Sequence, residues 1–350
     1  MPNESTTGLL DRLAAGPVVC AEGYLFELER RGYLQAGAFV PQVVLDHPTK
    51  VAELHREFVH AGSDVVEAFT YYAHREKLRL IGKEHLLEQL NRGALRIARE
   101  VARASSTLLA GNICNTNIFE PDSQASEDQV RAMFTEQVGW AVDEGADFIV
   151  GETFSYAQEA LIALEVIQST GLPSVITLAF HQAPDTREGW TVAEAGKRLA
   201  DAGANVVGLN CIRGPATMLP LLEELMPAVD VPVAALPVPY RTHAEQRSFQ
   251  SLREPGMEDV TGADRPFPIA LDPFTCTRHD IADFTRAARD LGVRYFGVCC
   301  GAGPHHIRSM AEALGRTPPA SQFSADMSKH AFLGSDTTLR EHNLAYGTDY

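Results

Sequence analysis

A chain of 350 residues, 45% hydrophobic and 22% charged, has enough apolar material for a substantial core and lacks the composition of a disordered protein. With 46 acidic against 30 basic side chains the formal charge is −16, a surface that repels phosphate backbones and anionic lipid, so no nucleic acid or membrane partner is expected. The amino terminus lacks a basic segment followed by an apolar run, and no stretch approaches the ~18 uninterrupted apolar residues of a membrane span, so a cytoplasmic location is expected.

In chain order, buried strands are predicted near residues 17–23, 64–70, 107–113, 146–152, 173–179, 205–211, 233–238 and 294–300. One junction recurs: HAGSDVVE from His60, DEGADFIV from Asp143, DAGANVVG from Asp201 and DLGVRYFG from Asp290, with STGLPSVI from Ser169 as a looser copy. The glycine suits the left-handed position just past a helix end, and the β-branched or aromatic run after it reads as a buried strand. Ser126 with Gln129 and Thr191 with Glu194 fit capping boxes, and Pro304 suits the first turn of the last barrel helix. Eight strands alternating with helices place the chain in the α/β class and favour a closed (β/α)8 TIM barrel over an open doubly wound sheet. The first βα turn, AEGYLF from Ala21, also lacks the GxGxxG cradle of a dinucleotide site.

Two segments exceed the repeat. A polar, Pro-containing insertion from about Pro239 to Cys276 follows strand 7, is longer than usual barrel loops and is expected over the catalytic end. After Gly315 a Pro/Ser-rich tail is expected to be either disordered or docked on another subunit. The expected organisation is one barrel domain, 1–315, and a C-terminal extension, 316–350, available as an oligomer contact.

Barrel active sites are built at the carboxyl ends of the strands. There the prediction puts Glu22 at the end of the first strand, Tyr71 and Tyr72 after the second, Glu152 at the end of the fourth, Cys211 at that of the sixth and Cys299 with Cys300 at that of the eighth. Three thiols at two strand ends suit a tetrahedral Zn2+ site whose fourth position stays open for a substrate; packing thiols and a vicinal disulfide are the competing readings. Cys20, Cys114 and Cys276 read as structural, and no predicted strand ends in the lysine a Schiff-base enzyme would need.

GLNC from Gly208 to Cys211 and GVCCG from Gly297 to Gly301 resemble the two zinc motifs of the homocysteine S-methyltransferase family. FELERRGYLQAG from Phe26, LHREFVHAGSDV from Leu54, FTYYAHREKL from Phe69 and SKHAFLGSD near the end resemble its betaine-using members. The resemblance implies a (β/α)8 barrel in which Cys211, Cys299 and Cys300 hold zinc and a methyl group passes from an onium donor to the sulfur of L-homocysteine, giving methionine. It also implies that Tyr71, Tyr72 and Phe39, the last at a family tryptophan position, form a partial aromatic cage for the donor, and that Glu152 holds the homocysteine amino group. Glycine betaine, S-methylmethionine and other small onium acids suit such a cage, and a barrel that binds onium compounds without turnover is the reading from another class. A folate donor is not expected, because there is no room for further folate and cobalamin domains.

The chain also departs from the family. Ala21-Glu22-Gly23 stands where the family has Asp-Gly-Gly, so Glu22 is expected to supply the missing carboxylate from the next position. Thr153 stands in place of a tyrosine, so water is expected as the resting fourth zinc ligand. The chain ends at Tyr350 without the longer arm of the animal betaine enzymes, yet a homo-oligomer is expected. His306 is read as a capping or packing residue.

Overall fold

The computed structural model describes residues 7–35, 37–256 and 264–347. Eight parallel strands, β1 (Val18–Ala21), β2 (Val65–Glu67), β3 (Leu108–Cys114), β4 (Phe148–Phe154), β5 (Ser174–Leu178), β6 (Val206–Asn210), β7 (Val233–Leu236) and β8 (Tyr295–Val298), pair in chain order. β1 also pairs with β8, with Val18 opposite Tyr295, and this closes the barrel. The predicted strands therefore all form, most of them shorter than expected.

The junction glycines behave as expected. Gly62 and Gly292, with φ of 113° and 104°, end the helices Pro48–Ala61 and Arg278–Leu291 and let the chain reverse into β2 and β8. Thr191 caps the helix Val192–Asp201 by accepting from Glu194 N, although the Glu194 carboxylate turns to Arg198 at 2.8 Å rather than back to the cap. Pro304 opens the helix Pro304–Ala313. The expected cap at Ser126 is corrected. The helix Gln124–Asp143 starts one turn earlier on Ser123, and the Ser126 hydroxyl is taken by the preceding loop, donating to Ile118 O at 3.0 Å and accepting from Glu120 N at 2.8 Å.

The barrel interior is read by counting in twos along the strands. Val18, Cys20, Val65, Leu108, Ala110, Phe148, Val150, Val175, Val206 and Tyr295 form one apolar cluster, and Phe148 meets Tyr295 edge to face at 6.4 Å although their strands do not pair. Leu9 and Leu13 of the short helix Leu9–Ala15 join this cluster and plug the amino-terminal end. A second, larger cluster packs the outer strand faces against the helices.

The insertion after β7 leaves and returns through a neck. Tyr240 bridges Thr275 in antiparallel fashion, Arg241 N donates to Phe274 O at 2.8 Å and Cys276 N donates to Pro239 O at 2.8 Å. Residues 257–263 of the insertion lie outside the described residues; the described part adds Phe249, Gln250 and Phe267 to the cleft at the carboxyl face. The tail beyond Gly315 begins by packing on its own barrel: Arg316 pairs with Asp64 at 2.5 Å and Ser321 donates to Glu312 at 2.9 Å.

Candidate active site

Continuing the count by two, the inward position after the apolar layer carries a polar group on most strands: Glu22 after Cys20, Glu67 after Val65, Asn112 after Ala110, Glu152 after Val150, Thr177 after Val175, Asn210 after Gly208 and Cys299 after Gly297. These side chains meet. Asn112 Nδ2 donates to Glu67 Oε1 and, at 2.6 Å, to Glu152 Oε1. Asn210 Nδ2 donates to Glu152 Oε2 at 2.7 Å, and Asn210 Oδ1 accepts from Thr177 and from Thr153 N, both at 2.9 Å. Glu67, Asn112 and Asn210 are not among the residues the sequence singles out, because each lies within or at the end of an apolar strand run; the period-two pattern already contained them.

Cys211 and Cys299 stand 88 positions apart, and β7 explains how they meet. Lying between β6 and β8, it offers two successive carbonyls: Cys211 N donates to Leu236 O at 2.9 Å and Cys299 N to Pro237 O at 2.9 Å. The Sγ atoms of Cys211, Cys299 and Cys300 then fall within 4.8 Å of one another, with Cys299 and Cys300 separated by 3.8 Å. All six cysteines are free thiols, so no vicinal disulfide is present. Hydrogen bonds from Cys299 and Cys300 draw the Cys211 thiol well below its usual range, whereas burial holds Cys299 well above it. Three soft donors converging at a nearly dry strand end, with Cys211 and Cys300 open to the cleft, are a donor set that fits a thiophilic metal ion.

Beneath the thiols lies a pocket of about 20 Å³, room for one small group, lined by Glu22, Glu67, Glu152, Asn112, Tyr71, Cys299 and Cys300 among others. One carboxylate oxygen each of Glu22 and Glu152 lies within 4.8 Å of Cys299 Sγ. Neither buried Glu22 oxygen has a hydrogen-bond partner. Burial pushes Glu152 up to about 7 and holds Glu22 and Glu67 well above the carboxylate range, with Glu67 adding to the shift on Glu22 and Glu152 to that on Glu67. Three crowded acids without a counter-ion resist full ionisation, which a bound cation would reverse. Thr153 donates to Glu152 Oε2 at 3.1 Å, so this residue braces the carboxylate and adds no thiol or carboxylate to the metal group.

The larger cleft, about 340 Å³, opens above the thiols. Tyr71 and Tyr72, ring centroids 4.3 Å apart, line it together with Phe39, Phe267, Phe26 and Phe249. Phe39 lies 6.2 Å from Phe26 and 6.3 Å from Phe267, and Phe249 lies 5.0 Å from Phe267. All the predicted aromatics therefore reach one space, and the insertion supplies two more that no periodicity announced. Among the described residues, eight non-glycine positions have positive φ, and six of them line this cleft: Phe39, Tyr72, Asn117, Thr153, Cys211 and Ile212. Such conformations cost about 1–3 kcal/mol each and persist where the surrounding fold fixes them, typically at working sites.

The loop carrying Cys300 is fixed from two sides. Arg30 donates to Gly301 O at 3.1 Å and to Tyr240 Oη at 2.8 Å. His306 accepts from Gly303 N at 3.1 Å through Nδ1, which leaves the proton on Nε2 to donate to Cys276 O at 3.1 Å. That is the capping role expected for it, and it ties the end of the insertion to the metal-side loop.

Fold and site together define an enzyme class, a (β/α)8 barrel with a three-thiol centre at its carboxyl face. The chain belongs to the homocysteine S-methyltransferase family, whose pattern it matches over residues 21–314. It is 37% identical over 346 residues to betaine–homocysteine S-methyltransferase 1 of Xenopus tropicalis, covering 95% of this chain and 81% of that protein. It is 35% identical over 332 residues to S-methylmethionine–homocysteine S-methyltransferase of Rattus norvegicus, covering 93% and 86%. The metallated form of the Escherichia coli homocysteine methyltransferase MmuM has the same fold, with a TM-score of 0.65 at 18% identity over 86% of this chain and 97% of that one. Among the described residues no helix is long and apolar enough to cross a membrane.

Proposed function

We propose that the protein transfers a methyl group from glycine betaine, or a related small onium acid, to the thiol of L-homocysteine, with Cys211, Cys299 and Cys300 holding Zn2+. The observation that carries this reading is that the three converging thiols are shared between two spaces, a small acidic pocket lined by Cys299 and Cys300 and an aromatic cleft lined by Cys211 and Cys300. Zinc on those thiols would keep the homocysteine sulfur deprotonated at neutral pH and supply the open position it needs.

Glu152 and Glu22 receive the homocysteine ammonium, Asn210 and Asn112 orient Glu152, and the pocket's size leaves no space for a bulkier group. Tyr71, Tyr72 and Phe39 present ring faces to the onium charge, which hydrogen bonds cannot satisfy. The insertion's Phe249 and Phe267 exclude water, so the donor cation and the sulfur meet at low dielectric. The new S–C bond forms as the C–N bond of betaine breaks; its electron pair stays on nitrogen, giving dimethylglycine, and the thiol proton has already left to solvent. We place its action in the cytoplasm, a reading that the free thiols support, since zinc ligands must stay reduced. The barrel 1–315 with the extension 316–350 forms a homo-oligomer in this reading, supported by exposed Phe323, Met327, Leu333 and Tyr346 in the extension.

A donor panel with homocysteine, reading methionine by mass spectrometry with and without a zinc chelator, tests the proposal. Methionine from betaine that disappears with chelation and returns with zinc is expected. Full transfer by metal-free protein, or transfer from no onium donor, would reject it.

A further inference from the structure

One charged group of the cleft has no task in that reaction. Among the described residues that line the cleft, Arg187 is the only arginine or lysine. It sits on the loop between β5 and the helix Val192–Asp201, where Trp190 N donates to Thr186 Oγ1 at 3.1 Å and Thr186 N to Trp190 O at 2.9 Å, so the loop closes on itself. Arg187 N donates to Ser155 O at 2.9 Å, which fixes its backbone against the segment following β4.

Two arginines serve this loop in different ways. The buried Arg213 uses its donors on backbone carbonyls, those of Phe180 at 3.2 Å and Ala183 at 2.9 Å, and so holds the loop's root. The exposed Arg187 guanidinium pairs with no carboxylate within 4.0 Å among the described residues, and it stands over the Tyr156 ring, 5.8 Å from its centroid. The nearest acid in sequence, Glu188, turns away from it: one oxygen accepts from Gln158 N at 2.9 Å and the other is buried without a hydrogen-bond partner. The other polar groups lining the cleft are neutral amides, hydroxyls, His181, which Ser155 holds at 3.1 Å, and Glu159, whose Oε1 is already taken by Thr116 N at 2.7 Å and Thr116 Oγ1 at 2.5 Å.

We propose that Arg187 seats the carboxylate of the methyl donor, so that the site selects onium compounds bearing an acid over simple onium cations. This rests on the donor reading above. An onium head against the aromatic wall leaves its acid in a cleft that strips water from it, and a carboxylate so placed needs a charged donor. A guanidinium presents two parallel N–H groups to the two oxygens and keeps its charge at any working pH. In a protein of net charge −16, an arginine left without an ion pair beside the cleft is also the one group there that attracts an anion.

The test uses zinc-loaded, full-length protein and compares wild type with Arg187→Ala and Arg187→Lys. Read-outs are KM for glycine betaine, kcat, KM for homocysteine, and the inhibition constant of tetramethylammonium, which carries the cation without the acid. Loss of one charge-assisted contact predicts a betaine KM raised about 10- to 100-fold in Arg187→Ala, partly recovered in Arg187→Lys, with kcat changed less than about threefold. Tetramethylammonium inhibition and homocysteine KM stay at wild-type values. Parallel weakening of betaine and tetramethylammonium, or an unmoved betaine KM, overturns the inference while leaving the donor reading intact. Equally efficient transfer from trimethylsulfonium in the wild type does the same. Absence of methionine from every onium donor removes both.

Discussion

Asn210 donates to the Glu152 carboxylate at 2.7 Å and is the residue immediately before Cys211, so one strand end serves the acid pocket and the thiol centre together. Replacing it separates the two. Asn210→Ala removes one of the two donors on Glu152 Oε2, leaving that of Thr153, and leaves Thr153 N without its acceptor, but removes no thiol. Homocysteine KM should rise about 10- to 100-fold, the loss of one hydrogen bond to a charged group, while bound zinc stays near one per chain. Kinetics paired with metal analysis check this; loss of zinc together with the KM change would show that the two layers are not separable.

The cysteines should sort sharply by metal content. Cys211→Ser, Cys299→Ser and Cys300→Ser each remove one of three converging thiols and should yield metal-depleted protein with activity down at least about a thousandfold. Cys20→Ala and Cys276→Ala should keep their zinc. Cys20 donates to Glu67 at 3.4 Å and Cys276 N closes the insertion's neck through its backbone, so neither thiol faces the centre. Metal analysis after exhaustive dialysis reads all five variants, and zinc retained by Cys211→Ser would sink the assignment.

Chemistry at the strand ends was legible in the sequence because parallel βα units force it there, and the glycine-stopped junctions marked where each strand begins. What stayed hidden needed three dimensions. Glu67, Asn112 and Asn210 sit in apolar runs that local reading takes for core, and their role emerges when the strands close and their second-position side chains converge. Phe249 and Phe267 come from the insertion, which has no periodicity to orient it; the neck at Tyr240 and Thr275 aims them. Ser126 looked like a cap because its spacing to Gln129 is right, but a helix cap must be the last extended residue, and the loop had already taken that hydroxyl.

Glu159 makes stability depend on pH. It lies at the start of the helix Ala157–Gln168, accepts from Thr116 N at 2.7 Å and from Thr116 Oγ1 at 2.5 Å, and burial still pushes it up to about 7. The unfolded carboxyl titrates near about 4.3, so the folded state binds the proton more tightly and its contribution is complete below that value. Between there and pH ~7 the contribution is lost as pH rises. Glu159→Gln should therefore flatten the stability profile by about 2 kcal/mol between pH ~5.5 and ~8 relative to wild type. Urea midpoints at the two pH values measure it, and equal slopes would remove Glu159 as the cause.

Gly301 is the tightest point of the metal-side loop. Its φ is 97°, and a Cβ there would stand 2.3 Å from Tyr240 Oη. Tyr240 cannot easily retreat, because it is fully buried, receives Arg30 at 2.8 Å and stacks on Phe249 with centroids 5.9 Å apart. Gly301→Ala must therefore move either the Cys299–Cys300 turn or the aromatic wall supplied by the insertion. The expected loss is about 2–4 kcal/mol of stability, with weaker zinc retention and a donor KM raised more than that of homocysteine. Gly315→Ala is the control: its φ of 81° carries a similar backbone penalty, but nothing lies within 4 Å of the added methyl group. It should cost about 1 kcal/mol and leave both KM values unchanged. Thermal melts and two-substrate kinetics on the pair separate the backbone effect from the steric one, and matching kinetic losses in both variants would mean that the contact with Tyr240 is immaterial.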